Sequence, residues 1–476
     1  MTTRVVIIGG GPGGYEAALV GNQLGGQVTL IDTDGLGGSA VLTDCVPSKT
    51  LIATAEVMTE VRGSVELGLR FGPAGSDDDA EIESTVRVDL AAVNRRVQAL
   101  AQAQSSDIAS RIQAEGVDLV VGRGRLLGPD RVVAETADGS RSFDADVVLL
   151  STGATPRELP EAVPDGERIL TWTQIYGLSE LPPRMIVVGS GVTGAEFASA
   201  YDALGADVVL VSSRDRVLPG EDADAAQLLE DVFTRRGMTV LSKSRAQAVA
   251  RTDDGVVVTL TDGRTVEGSH CLLAVGSIPN TAGMGLHEAG VTLDRGDFIE
   301  VDRVSRTSAR GVYAAGDCTG VMMLASVAAM QGRIAMWHSL GDAVAPLDLK
   351  SVSSNVFTAP EIATVGATQH QVDTGVVRAI GVTLPLKTNA RAKMQGIHEG
   401  FVKLFCLPTT GIIVGGVVVA PRASELIHPV AIAVAERITV DQLAQDFTVY
   451  PSLSGSLGEA ARRLHYHSET PVGAPA

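Results

Sequence analysis

The feature that most constrains the fold of this chain is a strand–glycine turn–helix pattern that occurs twice. The first copy is VVIIGGGPGGYEAALV (residues 5–20), and the second is MIVVGSGVTGAEFASA (residues 185–200). In a GxGxxG turn the glycines permit a tight bend and let a pyrophosphate approach the backbone, while the helix N-terminus supplies N–H donors. Because both copies have a strand before the turn and a helix after it, we predict two dinucleotide sites. The matching glycines are Gly9, Gly11 and Gly14 in the first copy and Gly189, Gly191 and Gly194 in the second.

The two copies differ at the end of the strand that follows. In the first copy, QVTLID ends at Asp32, whose carboxylate would accept hydrogen bonds from ribose hydroxyls. In the second copy, ADVVLV is followed by serines and then Arg214, with no carboxylate at the strand end. A carboxylate there would repel a 2′-phosphate, whereas Ser213 and Arg214 could bind one. This favours NADPH, with NADH tolerated; the alternative is that Arg214 is a solvated loop charge.

Charge and cysteine spacing exclude several other functions. A net charge of −18 disfavours nucleic acid and anionic lipid as partners. The longest apolar runs, such as residues 411–420, are too short to span a bilayer, and the N-terminus lacks the features of a signal peptide. The four cysteines show neither a CxxC pair nor a zinc-site spacing. We therefore expect a cytoplasmic protein with no membrane span, no nucleic-acid partner and no metal site.

Five further segments make the comparison with a known family specific. With the two glycine turns, and in this order, they resemble the flavoprotein disulfide reductase family, which includes dihydrolipoamide dehydrogenase, glutathione reductase and mercuric reductase. The segments are GGSAVLTDCVPSK (residues 37–49), LLSTGATP (149–156), LLAVGSIPN (272–280), GVYAAGDCTG (311–320) and NVFTAPEIATVG (355–366).

The resemblance implies an α/β fold with two doubly wound dinucleotide-binding domains and a C-terminal α+β dimerisation domain. Residues 1–155 and 282–350 would form the FAD-binding domain, and residues 156–281 would form the NAD(P)-binding domain. Residues 351–476 would form the interface domain of a homodimer.

The family pattern also implies site residues. Lys49 and Glu196 would form an ion pair beside the flavin N5, where hydride arrives, and Val192 would lie beside the nicotinamide pocket. FAD would be bound by Gly9, Gly11, Gly14, Asp32, Ser39, Lys49, Gly124, Thr152, Gly153, Asp317 and Ala325. NAD(P)H would be bound by Gly189, Gly191, Gly194, Glu196, Ser213, Arg214 and Gly276.

Two parts of the family's thiol chemistry are missing. Ala40 stands where the sulfur that would pair with Cys45 is expected, and disulfide exchange needs two sulfurs. In the segment of residues 447–460, Tyr450 stands where the family has a histidine, and Gly455 where it has the glutamate that orients this histidine. A tyrosine, with an ordinary pKa of about 10, is a poor base near neutral pH. We therefore predict no disulfide reductase activity.

The sequence leaves two alternative roles open for each of two residues, Cys45 and Tyr450. Cys45 at a helix start near Lys49 could be a stabilised thiolate that donates charge to the flavin, but we favour an inert small residue. Tyr450 could donate a proton or hydrogen bond to a quinone oxygen at the dimer interface, or only pack the pocket.

The chain keeps the features for binding NAD(P)H and FAD and for passing hydride to the flavin, and these features predict the function. We expect an FAD-dependent NAD(P)H:quinone oxidoreductase that passes electrons directly to a quinone, with Lys49, Glu196 and Tyr450 as catalytic residues. A soluble pyridine nucleotide transhydrogenase, which also needs no cysteine pair, is the first alternative. A non-catalytic flavoprotein is the second.

Overall fold

The structure, a computed structural model, describes residues 2–70 and 86–467. The N-terminal part contains the following strands: β1 Arg4–Ile8, β2 Gln27–Asp32, β3 Asp118–Val121, β4 Arg123–Gly128, β5 Arg131–Thr136, β6 Gly139–Asp144, β7 Val147–Leu150 and β8 Ala154–Pro156. Its helices are α1 Pro12–Gln23, α2 Gly38–Leu42, α3 Cys45–Gly63 and α4 Leu90–Ala114.

The middle part begins with β9 Ile169–Thr171 and contains two long helices. Its other strands are β10 Arg184–Val188, β11 Asp207–Val211, β12 Thr239–Leu241, β13 Ala246–Arg251, β14 Val256–Leu260, β15 Thr265–Gly268, β16 His270–Leu273 and β17 Ser277–Pro279. The helices are α5 Val192–Leu204 and α6 Ala223–Arg235, and a 3₁₀ turn spans Ile175–Gly177.

The remaining elements complete the chain. After β18 Val312–Ala314, a 3₁₀ turn at Asp317–Thr319 and α7 Ala325–Ser339, the last strands are β19 Ser353–Val356, β20 Glu361–Gly366, β21 Ile380–Pro385, β22 Phe401–Cys406 and β23 Ile413–Ala420. The last helices are α8 Gln369–Asp373, α9 Ala390–Met394, α10 Ala423–Leu426, α11 His428–Ala435, α12 Val440–Gln445 and α13 Gly455–His467. Short 3₁₀ turns lie at Leu349–Ser351 and Leu386–Thr388.

Two parallel sheets carry the repeated pattern. The first has the order β18-β7-β1-β2-β3, and the second has the order β12-β11-β10-β16-β9. The strand before each glycine turn lies inside its sheet: β1 lies between β2 and β7, and β10 lies between β11 and β16. The order of the strands reverses at that point, and doubly wound sheets bind ligands at the carboxyl ends of such strands.

The third sheet is antiparallel, in the order β19-β20-β23-β22-β21, with helices α10 to α13 packed on it. Strands β8 and β17 pair antiparallel where the chain enters and leaves the second parallel sheet. The predicted fold class is confirmed. The exact boundaries at residues 155, 281 and 350 stay a prediction.

One hydrophobic cluster joins the three sheets' domains and positions the site. It contains Leu51 and Ile52 of α3, Phe197 and Tyr201 of α5, and side chains of the antiparallel sheet such as Phe405. Helix α3 of the first domain therefore packs directly on α5 of the second. None of the helices in the described ranges has the length and apolar character needed to cross a membrane.

Candidate functional site

The first glycine turn has the shape of a pyrophosphate cradle. A Cβ at Gly14 would lie 1.8 Å from the carbonyl oxygen of Gly9, so helix α1 can approach the end of β1 only with glycine there. A Cβ at Gly11 would meet nothing within 4 Å, so this side of the turn is open. Helix α1 begins at Pro12, which has no N–H, and Gly14 N and Tyr15 N both donate to Gly11 O at 2.9 Å. No side chain caps this helix end, so Gly13 N stays available to an anion. The residues present therefore fit a dinucleotide phosphate.

Asp32 organises this cradle from the end of β2. Its Oδ2 accepts a hydrogen bond from Gly10 N at 2.6 Å, and its Oδ1 accepts from Asp34 N at 2.9 Å and Gly35 N at 2.8 Å. The carboxylate thus holds the turn after β1 against the turn after β2. It lies at the sheet edge where the predicted ribose would be.

The other predicted flavin residues come from loops around the same sheet. Asn280 ties two of them together, because its Nδ2 donates to Thr152 O at 2.9 Å and its backbone N donates to Gly153 O at 3.0 Å. A Cβ at Gly124 would lie 2.9 Å from Ile8 Cγ2, so β4 closes over the end of β1.

Three more of the predicted flavin residues lie at or next to the start of a helical segment. Ser39 lies in α2, next to Gly38, where a Cβ would come within 2.8 Å of Gly11 Cα. Asp317 opens the 3₁₀ turn after β18, and Ala325 is the first residue of α7. Burial raises the pKa of the Asp317 carboxyl to about 6.

The second glycine turn repeats the geometry of the first. A Cβ at Gly194 would lie 1.8 Å from Gly189 O, while a Cβ at Gly191 would meet nothing within 4 Å. Helix α5 begins at Val192, which is 43% exposed at the cradle. Gly276 follows β16, and its carbonyl accepts from Arg157 N at 2.9 Å, which joins the two inter-domain connections.

Ser212 takes the place that Asp32 has in the first sheet. Each directly follows the residue whose carbonyl accepts from the first glycine of its cradle: Ile31 O accepts from Gly9 N at 2.8 Å, and Val211 O accepts from Gly189 N at 2.9 Å. Ser212 is fully buried, and its Oγ lies 2.6 Å from Ser190 Oγ and accepts from Arg214 N at 3.1 Å. Because the buried hydroxyl fixes this turn, Ser213 and Arg214 are exposed beside the cradle.

Sequence reasoning missed Lys243 at this site. Its backbone N donates to Arg214 O at 2.6 Å, and its side chain is exposed. The loop after β12 therefore brings a second cation to the loop that carries Arg214. A lone lysine with no motif around it gives no signal in the sequence.

The centre of the site is an ion pair between the two domains. Lys49 Nζ of α3 lies 2.8 Å from Glu196 Oε2 of α5. Glu196 Oε1 accepts from Phe357 N at 2.9 Å, and Lys49 Nζ lies 5.0 Å from the centroid of the Phe357 ring. Although burial opposes the charge on Lys49, attraction to Glu196 outweighs it and raises the pKa of Lys49. The geometry therefore holds one positive charge between the two cradles.

Cys45 begins α3 beside this pair but is not poised as a thiolate. Burial, reinforced by the nearby Asp44 carboxylate, raises the pKa of the Cys45 thiol to about 12. Ala40, five residues before Cys45, lies in α2. The other three cysteines are buried in other elements, and none of them forms a disulfide. The inert role that we favour for Cys45 stays a prediction.

Tyr450 lies away from this pair within the chain. It is 84% exposed in the segment between α12 and α13, close to the exposed Phe447 and Val449. Across the described residues, no hydrogen bond or ring contact joins Tyr450 to Lys49 or Glu196. Its predicted role therefore needs a second copy of the chain.

In the same described ranges, no group of three or more His, Cys, Asp or Glu side chains is arranged to hold a metal ion.

Comparison with known families gives two matches that together cover most of the chain. The family described as pyridine nucleotide-disulphide oxidoreductase matches residues 3–332. The dimerisation domain of the same family matches residues 352–461.

Individual relatives match over nearly their whole length. The chain is 56% identical to a protein of Mycobacterium tuberculosis named NAD(P)H dehydrogenase (quinone), covering 98% of this chain and 95% of the relative. It is 34% identical to a dihydrolipoyl dehydrogenase of Chlorobaculum tepidum, with 96% of each chain covered.

Solved structures give the same result for the fold. The crystal structure of LpdA from Mycobacterium tuberculosis matches with a TM-score of 0.92 and 55% identity, over 97% of this chain and 100% of that one. The flavoprotein disulfide reductase RclA from Escherichia coli matches with a TM-score of 0.84 at 22% identity, over 96% and 99% of the two chains, and this likeness concerns the fold alone.

Proposed function

The chain belongs to the pyridine nucleotide-disulphide oxidoreductase family, as its motifs indicated, and within it we propose an FAD-dependent NAD(P)H:quinone oxidoreductase. The observation that carries this proposal is the Lys49–Glu196 pair at 2.8 Å, which joins α3 beside the first cradle to α5 of the second. The relative at 56% identity, named NAD(P)H dehydrogenase (quinone), supports the same activity.

The first cradle is the proposed FAD site and the second is the proposed NADPH site. Bound FAD supplies a ring that accepts hydride from the nicotinamide and passes electrons to a second substrate. Gly9, Gly11, Gly14 and Asp32 would hold its pyrophosphate and ribose, because Gly11 faces open space and no side chain caps the start of α1. Arg214, Ser213 and Lys243 would hold the 2′-phosphate of NADPH, while NADH lacks that group and is tolerated.

Lys49 and Glu196 have distinct roles in this reaction. Lys49 provides a fixed positive charge that favours negative charge developing on the reduced ring. Glu196 keeps Lys49 in place and is itself held by Phe357 N. Since the pair is preorganised by packing of α3 on α5, little rearrangement is needed when hydride arrives.

The electrons then leave without a sulfur relay. Ala40 provides no second sulfur, and a thiol with a pKa of about 12 stays protonated at neutral pH. A quinone can accept electrons directly, so it is the acceptor class that suits this site.

A homodimer completes the proposal. The family's dimerisation domain supports it, and Phe447, Val449 and Tyr450 form an exposed segment that a second copy would cover. Tyr450 of that second copy would lie over the acceptor pocket, where its hydroxyl could hydrogen-bond a quinone oxygen. A cytoplasmic location is part of the proposal, since a reducing compartment suits four unpaired cysteines.

An acceptor panel under anaerobic conditions tests the proposed function. The flavin-loaded protein and NADPH are mixed separately with benzoquinones, naphthoquinones, lipoamide, glutathione disulfide and thio-NAD. We expect turnover with the quinones and none with the two disulfides. Brisk turnover of lipoamide or glutathione disulfide would contradict the proposal, and hydride exchange to thio-NAD without quinone turnover would indicate a transhydrogenase.

A further inference from the structure

Asp44 carries a carboxylate that the function described so far does not use. It occupies the N-cap position of α3, yet its side chain caps none of that helix's N–H groups. Its backbone is firmly held, because Asp44 N donates to Ser39 O and Ser48 N donates to Asp44 O, both at 2.7 Å. Among the described residues, no hydrogen bond or salt bridge engages either carboxylate oxygen. The backbone is fixed while the acid group is left for another partner.

Electrostatic interactions link Asp44 to groups of both nucleotide domains. On its own helix these groups are Cys45 and Lys49, and on α5 the group is Glu196. Tyr176, in the 3₁₀ turn at Ile175–Gly177, and Asp317, in the turn after β18, also interact electrostatically with Asp44. Asp44 therefore lies where elements of both nucleotide domains meet.

Burial favours the neutral form of Asp44, and little positive charge opposes it. The only cation among these neighbours is Lys49, which is already paired with Glu196 at 2.8 Å. Burial raises the pKa of the Asp44 carboxyl, against the attraction of Lys49. A carboxyl group that holds its proton closer to neutral pH is a better general acid than an ordinary aspartate.

We propose that Asp44 is the proton donor to the quinone, placed next to Cys45 at the start of α3 and one helical turn before Lys49. This inference rests on the proposed quinone reductase function. Asp44 would supply from within one chain the acid that the family's missing histidine does not, while Tyr450 of a second copy would only orient the acceptor.

Proton transfer from Asp44 completes the reaction of the proposed substrates. NADPH, a proton and a quinone give NADP⁺ and a hydroquinone. The hydride from NADPH carries both electrons and one proton to the acceptor. The O–H bond of Asp44 breaks as the second O–H bond of the hydroquinone forms, and the Asp44 carboxylate then takes a proton from water.

The kinetic test compares acceptors that do and do not need a proton. In Asp44→Asn the amide keeps the shape but cannot act as an acid, so we expect quinone turnover to fall by about 10²-fold or more, the range for general acid catalysis. Ferricyanide takes electrons without a proton, so its reduction and the anaerobic bleaching of the flavin by NADPH should stay near the wild-type rates. Asp44→Glu should recover part of the quinone turnover.

A second readout does not depend on turnover. Because the Asp44 carboxylate helps to raise the pKa of Cys45, the pH at which Cys45 becomes alkylated should move downward in Asp44→Asn. The matched control is Asp202→Asn, at the other end of α5, which also removes a carboxyl whose pKa burial raises. This control should leave both readouts unchanged.

The possible results distinguish a failure of the role proposed for Asp44 from a failure of the proposed quinone reductase function. Quinone turnover in Asp44→Asn near the wild-type rate would overturn the role of Asp44, as would an equal loss with quinone and ferricyanide. An unshifted Cys45 alkylation profile would show that Asp44 does not lie where we place it. If wild-type protein reduces ferricyanide but no quinone, the proposed function fails, and the inference fails with it.

Discussion

Glu196 binds two partners at once: its Oε2 lies 2.8 Å from Lys49 Nζ, and its Oε1 accepts from Phe357 N at 2.9 Å. Its side chain is 4% exposed, whereas that of Lys49 is 30% exposed. One buried carboxylate therefore links α3, α5 and the end of β19, which belong to the three sheets' domains. Whatever disturbs Glu196 should affect both the stability of this junction and the Lys49 charge held between the two cradles.

Replacing Glu196 by glutamine should lower stability and slow hydride transfer. Glutamine keeps an acceptor for Phe357 N but leaves the charge of Lys49 unopposed, so we expect a loss of about 1.5–3 kcal/mol in the free energy of unfolding. Urea denaturation and anaerobic reduction of the flavin by NADPH measure the two effects. The control is Glu180→Gln, an exposed glutamate that should change neither. Unchanged flavin reduction in Glu196→Gln would remove the pair from the mechanism.

Reversing the charge of Arg214 should weaken NADPH binding selectively. Loss of a charge-assisted hydrogen bond costs about 1.5–3 kcal/mol, so KM for NADPH in Arg214→Glu should rise by about 10-fold to 100-fold. KM for NADH should change little, because NADH has no 2′-phosphate. Steady-state kinetics with a quinone measure both values. Arg251→Glu, an exposed arginine paired with Asp165 in the same domain, is the control, and equal effects of the two variants would contradict the assignment.

Cys45 should react slowly with alkylating reagents at neutral pH. A raised thiol pKa favours the protonated form, so with a pKa of about 12 the reactive thiolate becomes abundant only as the pH approaches 12. Near pH 8 its labelling should be on the order of 10³-fold slower than that of a free cysteine. Mass spectrometry after timed alkylation measures this, with Cys45→Ser as the control. Rapid labelling, or a long-wavelength flavin band that Cys45→Ser abolishes, would show a thiolate instead.

The exposed segment around Tyr450 should be buried by a second copy. Phe447 is 101% exposed and Val449 is 79% exposed, which is costly for apolar side chains in water. Val449→Glu should therefore shift the protein from dimer toward monomer in sedimentation experiments. Quinone turnover should fall with it, since Tyr450 would leave the acceptor pocket. The control is Val163→Glu, because Val163 is also exposed, at 61%, but lies in the second domain. A wild-type monomer with full activity would contradict this prediction.

Lys403 should anchor the loop that carries Arg214 through a buried ion pair. Its Nζ lies 2.8 Å from Asp222 Oδ2, and both side chains are at most 3% exposed. Asp222 caps α6 at the end of the loop that carries Arg214. Lys403→Met leaves this carboxylate buried and unpaired, so the free energy of unfolding should fall by about 3–5 kcal/mol.

Urea denaturation of Lys403→Met measures the loss of stability, and KM for NADPH should rise as the loop loosens. Arg235→Ala, which breaks the exposed pair with Glu399, should cost less than about 1 kcal/mol. If both variants lost the same free energy of unfolding, the buried Lys403–Asp222 pair would contribute no more to stability than the exposed Arg235–Glu399 pair.

Resemblance to known motifs predicted the Lys49–Glu196 pair that the structure shows, because each motif itself names its residue. Lys49 and Glu196 each stand in a recognisable segment, so their pairing could be expected. Asp44 stands in the quoted segment 37–49, yet nothing in the sequence shows that its carboxylate lacks a partner. Lys243 belongs to no motif and reaches the loop that carries Arg214 only because β12 pairs with β11.

The sequence by itself determined the two phosphate cradles, because a strand, a glycine turn and a helix start are local and need only a few consecutive residues. It also determined that no sulfur stands five residues before Cys45, since Ala40 has none in any fold. Only the tertiary structure decided which charges meet. Lys49 and Glu196 are 147 positions apart, and Lys403 and Asp222 are 181 apart. Such contacts depend on how α3, α5 and the antiparallel sheet pack around one shared core, and the amino-acid pattern of a single segment contains no information about that packing.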